Sequence, residues 1–396
     1  MGGGIIGLSI AWRAVQRGRS VRLIDPAPAR GATFAAAGML APVSEYHYQE
    51  DDLLPLMLES ASRYPEFVRQ LTPERSTVGE ATGYLATETL LVGVDHGDRQ
   101  ALADLHAAHR RWRLPVEPLT TREARSREPL LSPRVSSAYC IEGDHQIDPR
   151  VLAARLLEEL SCAEDAEIVH ERATALVHRD AVDPDSPVVG VRLESGAIVA
   201  AGEVVLANGT GATSMGELPT RLTLPVRPVF GDILRLRVPK RRRPLLTATI
   251  RGLVHGESVY LVPRADGTLV VGATQREDGL RGVSAGGVHR LLRDAQETLP
   301  AVAELELIEI TARARPATPD NVPLLGRVRG PAGGDIAGLI VATGFFRHGV
   351  LLAPAAADLC LDLIDGPVAG ARSHAFRPDR FSRPGAASAA GRTSRR

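Results

Sequence analysis

The chain has 396 residues, 44% hydrophobic and 24% charged, with 47 basic and 47 acidic side chains and a formal net charge of zero. That length suits two domains, or one large one, with a sizeable core. The charge balance excludes a general nucleic-acid or acidic-membrane binder, which carries a basic excess. Cys140, Cys162 and Cys360 are too few and too dispersed for a disulfide framework or a zinc site, and fit a reducing cytoplasm. No run of about 18 apolar residues marks a transmembrane helix, and the opening glycines lack the regions of a secretory signal. A cytosolic protein is expected. Lys240 is the only lysine, so the positive charge is almost entirely arginine.

In chain order, residues 5–17 have helical periodicity ended by Gly18, and residues 21–26 read as a buried strand closed by Pro26. Residues 27–42 are small and glycine-rich, giving a loop and a helix start. Residues 53–71 read as a helix, 79–94 as strand-like and 98–111 as an amphipathic helix. Asp148-Pro149 opens another helix over 150–160, with Asp148 as a cap and not a catalyst. Residues 188–206 give two strands joined at Ser195-Gly196. Strands follow over 224–237 and 258–274, the second stretch divided by an Asp266-Gly267 hairpin turn. The basic run 240–243 reads as a solvated loop. A strand at 339–342 runs into Thr343-Gly344 and a helix over 349–365. The tail after Phe381 is rich in Ser, Arg, Gly and Ala and is expected to be disordered.

The chemistry-bearing pattern is Gly2-x-Gly4-x-x-Gly7, followed by Ala11 and Gly18. The first glycine permits a tight turn, the second a close backbone approach to a pyrophosphate, and the third helix–strand packing. The helix N-terminus then faces the phosphate charge. Asp25, 23 positions after Gly2, stands where a carboxylate accepts hydrogen bonds from ribose hydroxyls. Together these features point to nucleotide binding, without separating nicotinamide from flavin cofactors. The fingerprint normally follows a buried strand, and only Met1 precedes it here. The expectation is a native chain that begins upstream.

From residue 2 to 42, including Gly31-Ala-Thr-Phe-Ala-Ala-Ala-Gly-Met-Leu-Ala-Pro42, the sequence resembles the D-amino-acid-oxidase superfamily. Within it, the resemblance is to the bacterial glycine oxidases of thiamine thiazole synthesis. It recurs at Gly143-Asp-His-Gln-Ile-Asp-Pro149, Leu224-Pro-Val-Arg-Pro-Val-Phe-Gly231 and Val259-Tyr-Leu-Val-Pro-Arg264. It continues at Arg315-Pro-Ala-Thr-Pro-Asp320, Gly344-Phe-Phe-Arg-His-Gly-Val-Leu351 and His374-Ala-Phe-Arg-Pro-Asp-Arg380. The implied fold is mixed α/β (α+β in two domains), a Rossmann-like FAD-binding domain interleaved with an antiparallel-sheet substrate domain. The FAD domain would take 1–78, 144–222 and 312–381, the substrate domain 79–143 and 223–311, with 382–396 as the tail.

The resemblance also implies sites. Gly2, Gly4, Ile5, Ile6, Gly7, Asp25 and Pro26 would hold the ADP half of a non-covalent FAD. Thr33, Ala36, Ala37 and Met39 would run along it, where small side chains let the backbone pass close to a ligand. Val177 would give backbone contacts to the adenine. Gly344, Phe345, Phe346, Arg347, His348, Gly349, Val350 and Leu351 would pass the flavin ring, with the helix after them aiming its dipole at reduced flavin. Arg315 would clamp the substrate carboxylate bidentately, Tyr260 would add a hydroxyl donor, and Arg347 a positive charge at the pocket mouth. Phe345 and His348 stand where relatives carry histidine and asparagine, and His348 reads as a polar residue of the turn, not a base.

The implied reaction is oxidation of glycine and other small amino acids by hydride transfer to flavin N5. Oxygen would reoxidise the flavin to give hydrogen peroxide, and glycine imine or glyoxylate would serve thiazole synthesis. The implied partners are the small-molecule substrate and O2, with no nucleic acid and no membrane, a homotetramer, and a hand-off to thiazole synthase. Three alternatives stay open: a sarcosine or D-amino-acid oxidase on the same scaffold, a non-catalytic nucleotide-binding relative, and a nicotinamide-dependent dehydrogenase. Residues 311–325 contain no cysteine for a covalent flavin link.

Overall fold

A computed structural model describes residues 1–48, 50–331, 333–366 and 375–382. Helix Ile5–Gln16 packs an almost wholly buried face, including Leu8, Ile10 and Trp12, against helices Pro149–Cys162 and Ala353–Asp365. Trp12 meets Phe67 of helix Leu54–Gln70 edge to face at 5.1 Å, the ring geometry that quadrupoles favour. Beside this helical layer run two parallel strand pairs, Val21–Ile24 with Ala166–Val169, and Val204–Leu206 with Asp335–Thr343. Residues 1 and 2 lie between them. The Met1 amino group donates to Val205 O, Ala207 N–H donates to Met1 O, and Gly2 N–H donates to Ile24 O.

An eight-stranded sheet forms the other part of the molecule. Its order is Glu306–Ala317, Arg227–Arg237, Thr268–Gly272, Glu257–Pro263, Thr249–Val254, Thr89–Gly93, Ser137–Ile141 and Glu117–Leu119. Neighbours are antiparallel, except that Thr249–Val254 runs parallel to Thr89–Gly93. One face buries Leu90, Leu234, Ile250, Leu261 and Val271 under helix Ala285–Thr298. The opposite face carries Ile233, Val262 and Val270 against Ala35, Ala37 and Met39 of the glycine-rich segment. The strict alternation of strand side chains puts a dry core on one side and a cleft on the other.

Three sequence expectations change. Residues 79–94 open with a short helix, Val78–Thr82, because Thr77 and Glu80 form a reciprocal capping box; the strand begins only at Thr89. Residues 188–206 give three strands. Val188–Leu193 and Ile198–Ala200 form the hairpin, and the chain then reverses partner so that Val204–Leu206 runs parallel to Asp335–Thr343. The last long helix starts at Ala353 rather than 349, after a 3-10 turn at Phe346–His348. Pro354 lacks an N–H, and a first turn is where a helix accommodates it at least cost. The tail beyond Ser382 lies outside the described residues. Among those residues, no helix is long and apolar enough to cross a membrane.

Candidate active site

Helix Ile5–Gln16 begins at Gly4, with no capping side chain on its N-cap and no acidic residue in its first turn. Its Ile5 N–H donates instead to Thr33 Oγ1 at 2.9 Å. Gly4, Ile5, Ile6 and Thr33 line a cavity of about 870 Å³. Asp25, also on its wall, accepts from Gly3 N–H at 2.7 Å through Oδ2 and from Ala27 N–H at 2.8 Å through Oδ1. Each carboxylate oxygen keeps a second lone pair for a hydroxyl ligand. A positive helix end beside a fixed carboxylate matches pyrophosphate and ribose chemistry, so the residues present fit the ADP half of FAD.

The cavity follows Gly31–Met39 to the face of the eight-stranded sheet, where Ile233, Arg251, Tyr260 and Arg315 meet Glu45, Phe346 and Arg347. Buried Arg264 holds the segment against the sheet, donating to Ala37 O and, at 2.8 Å, to Ile147 O. Arg315 Nη1 donates to Thr274 O at 3.1 Å. Thr274 is fixed in turn: its hydroxyl donates to Asp232 Oδ2 at 2.8 Å and accepts from Asp232 N–H at 2.7 Å. The Asp232 carboxylate, fully buried, takes a bidentate pair from Arg276 at 3.0 Å on each side. Arg276 spends its other donors on Asp278, Leu280 O and Gly282 O, ordering the loop that brings Gly279 and Arg281 to the cavity rim.

Charge at this end is mostly compensated. Glu45 Oε1 accepts from Arg251 Nη1 at 2.7 Å, and Glu50 Oε1 from Arg347 Nη2 at 2.7 Å, all four side chains being largely buried. Burial alone would raise the Glu45 carboxyl, but Arg251, His348 and Arg347 outweigh it and hold Glu45 below the usual range. Arg315, by contrast, has no carboxylate partner among the described residues. Burial pushes Tyr260 above the usual phenol range, with Arg315 opposing, so it remains a neutral O–H donor at neutral pH.

Most of the residues expected at the site converge here. Gly2, Gly4, Ile5, Ile6, Asp25, Thr33, Ala36, Ala37, Met39, Tyr260, Arg315, Phe345, Phe346, Arg347, Gly349 and Val350 all line the one cavity. Gly7, Pro26, Val177, Gly344, His348 and Leu351 are not on its wall. Gly7 serves packing: a Cβ there would fall 1.8 Å from Gly2 O. His348 is buried behind the wall, its ring nitrogens 3.9 Å from Glu45 Oε2 and 3.6 Å from Glu50 Oε2 and without hydrogen-bond partners. The residues that sequence reasoning missed are Glu45, Glu50, Arg251, Asp232, Thr274 and Arg276. Of these, Asp232 and Thr274 lay within stretches already read as strands, 224–237 and 258–274.

A family model described as FAD dependent oxidoreductase matches residues 1–363. A glycine oxidase of Geobacillus kaustophilus is 32% identical over 372 residues, covering 92% of each chain. A bifunctional protein ThiO/ThiG of Trichormus variabilis is 31% identical over 92% of this chain and 52% of its own length, so the chain spans about half of that relative. Among solved structures, glycine oxidase from Geobacillus kaustophilus superposes with a TM-score of 0.82 at 30% identity, covering 96% of this chain and 97% of that one. An iminodiacetate oxidase from Chelativorans sp. BNC1 gives a TM-score of 0.82 at 26% identity, covering 95% and 97%.

Proposed function

The chain belongs to the FAD dependent oxidoreductase family, an enzyme of the amine-oxidase type, and from that premise we propose that it oxidises glycine and other small amino acids. The observation that carries this reading is Arg315, a cation on the cavity wall without a carboxylate partner among the described residues, next to the hydroxyl of Tyr260. A guanidinium held from behind by Thr274 O presents its remaining donors to a substrate carboxylate in a planar fork. Tyr260 adds a neutral donor, and the walls at Met39, Ile233 and Phe346 keep water from the Cα of a small substrate.

When bound, FAD supplies the acceptor for the hydride equivalent of the amine, and O2 reoxidises it with release of hydrogen peroxide. The chain's own task is orientation: Arg315 and Tyr260 fix the carboxylate, and with it the direction of the Cα–H bond. The substrate reacts as its neutral amine. The imine product hydrolyses to glyoxylate and ammonia, or is handed to thiazole assembly. Likeness to proteins named glycine oxidase and bifunctional ThiO/ThiG supports that substrate and that hand-off. Non-covalent attachment is supported by a cavity wall without cysteine; Cys140 and Cys360 are buried elsewhere, their thiols pushed up to about 12 mainly by burial. Homotetramer assembly and the interleaved division at 78/79, 143/144, 222/223 and 311/312 belong to the same reading.

Anaerobic mixing with glycine, sarcosine, D-alanine and D-proline while following visible flavin absorbance tests it. Bleaching by glycine or sarcosine is expected. Bleaching by D-proline alone would make the chain a D-amino-acid enzyme.

A further inference from the structure

Five arginines line the cavity, Arg251, Arg281, Arg313, Arg315 and Arg347; Arg251 and Arg347 are already paired with buried carboxylates, and Arg313 donates to Arg30 O. Beside Tyr260, a substrate carboxylate meets Arg315, which lacks a carboxylate counter-charge among the described residues. Arg251 stands directly opposite Tyr260 across the antiparallel pair Thr249–Val254 and Glu257–Pro263. Side chains of such a pair emerge on the same face about 5 Å apart, so a second acidic group on a substrate anchored at Arg315 and Tyr260 would come within reach of Arg251. What it would meet is Glu45. That carboxylate occupies the Arg251 guanidinium, is ionised, and lies on the cavity wall.

Glu45 is not a drifting surface acid. Its N–H donates to Ala41 O, and the two preceding residues are tied down by fully buried Asp144, which accepts from Ser44 N–H at 2.7 Å and Val43 N–H at 3.2 Å. His109 Nε2 contacts Val43 O at 3.1 Å from the other side. These bonds fix the Glu45 backbone, and displacing its carboxylate from Arg251 would leave a buried charge unpaired, a large penalty.

We infer that Glu45 is a specificity-determining residue: by holding Arg251 it restricts the site to amines with a single carboxylate and rejects amines with a second acidic group. This rests on the amino-acid reading of the cavity given above. Discrimination of this kind comes from a repulsive element as much as from an attractive one. Glu45→Gln keeps the volume and one acceptor for Arg251 but removes the charge.

The test compares iminodiacetate with its monoamide, N-(carbamoylmethyl)glycine, which has nearly the same shape and one carboxylate fewer. Wild-type enzyme should turn over the monoamide with at least tenfold higher kcat/KM than the diacid. Glu45→Gln should raise the diacid-to-monoamide ratio at least tenfold, and adding Arg251→Gln should abolish the gain. Equal wild-type turnover of the two compounds, or an unchanged ratio in Glu45→Gln, overturns the inference. Should Glu45→Gln fail to retain FAD, Arg251→Gln alone decides: with Glu45 unpaired the ratio must fall below wild type, and a rise overturns the proposal. Failure of the underlying reading shows separately, as FAD-loaded wild type that oxidises neither glycine, sarcosine nor the monoamide; the inference then falls with it.

Discussion

Gly231 lies against the guanidinium of Arg315: a Cβ built on Gly231 would fall 2.3 Å from Nη1 and 2.6 Å from Cζ. The two residues sit on neighbouring antiparallel strands, where Val229 is the direct partner of Arg315. The missing side chain is thus the space in which the anchor rests. Gly231→Ala should push the guanidinium off its bond to Thr274 O, raising KM for the amino acid about tenfold while leaving FAD content unchanged. Arg315→Ala should cost at least about 2 kcal/mol of transition-state stabilisation, roughly 30-fold in kcat/KM. Steady-state kinetics on flavin-loaded protein checks both, and a Gly231→Ala enzyme with wild-type KM would refute the packing account.

Asp232 acts on the same anchor from one residue further away. Its carboxylate joins the Thr274 hydroxyl to the Arg276 guanidinium with no exposure to solvent. Asp232→Asn leaves Arg276 facing a neutral amide, and breaking a buried pair costs about 3 kcal/mol. The expected result is a lower melting temperature together with a KM increase that exceeds any change in kcat, because the Thr274 carbonyl that holds Arg315 loses its support. A destabilised variant with unaltered KM would show that Asp232 serves the fold alone.

These contacts explain which parts of the site were legible in the sequence. The fingerprint at Gly2, Gly4 and Gly7 and the carboxylate of Asp25 are local: spacing within one turn–helix–strand unit determines them, and all but Gly7 reach the cavity wall. Arg315 and Tyr260 carry no such local signal, and only family resemblance picked them from the many arginines and six tyrosines. Glu45 and Arg251 are 206 positions apart, and Asp232 and Thr274 are 42 apart. Such pairs arise from sheet register and from a loop folded onto it, which hydrophobic periodicity does not encode. The helix start at Ala353 was misplaced for the opposite reason, since Pro354 is a local signal that the apolar run of 349–352 obscured.

Asp25 gives a cofactor prediction. It braces the turn at Gly3 and Ala27 and offers its remaining lone pairs to the cavity. Asp25→Ala should weaken FAD binding at least tenfold, about 1.4 kcal/mol, measured by fluorescence titration of apoprotein. Acid precipitation of wild-type protein should release all flavin into the supernatant; a yellow pellet would contradict non-covalent attachment.

Asp144, the anchor of the Glu45 segment, predicts a pH dependence of known sign. Burial raises its carboxyl from an ordinary 3.8 to about 6, with the charge of Glu45 adding and the hydrogen bonds from Ser44 and Val43 opposing. The folded state therefore binds this proton more tightly than the unfolded chain, so the contribution to stability is present in full below 3.8 and is lost as pH rises through 6. The shift corresponds to on the order of 3 kcal/mol. His47 and His109, which burial pushes down to about 4, act in the other direction over an overlapping range. They are common to wild type and Asp144→Asn and cancel in the difference. Urea denaturation of both proteins between pH 4 and 7 should show wild type losing ground to Asp144→Asn as pH rises, and a difference that is flat across this range would mean that Asp144 titrates normally.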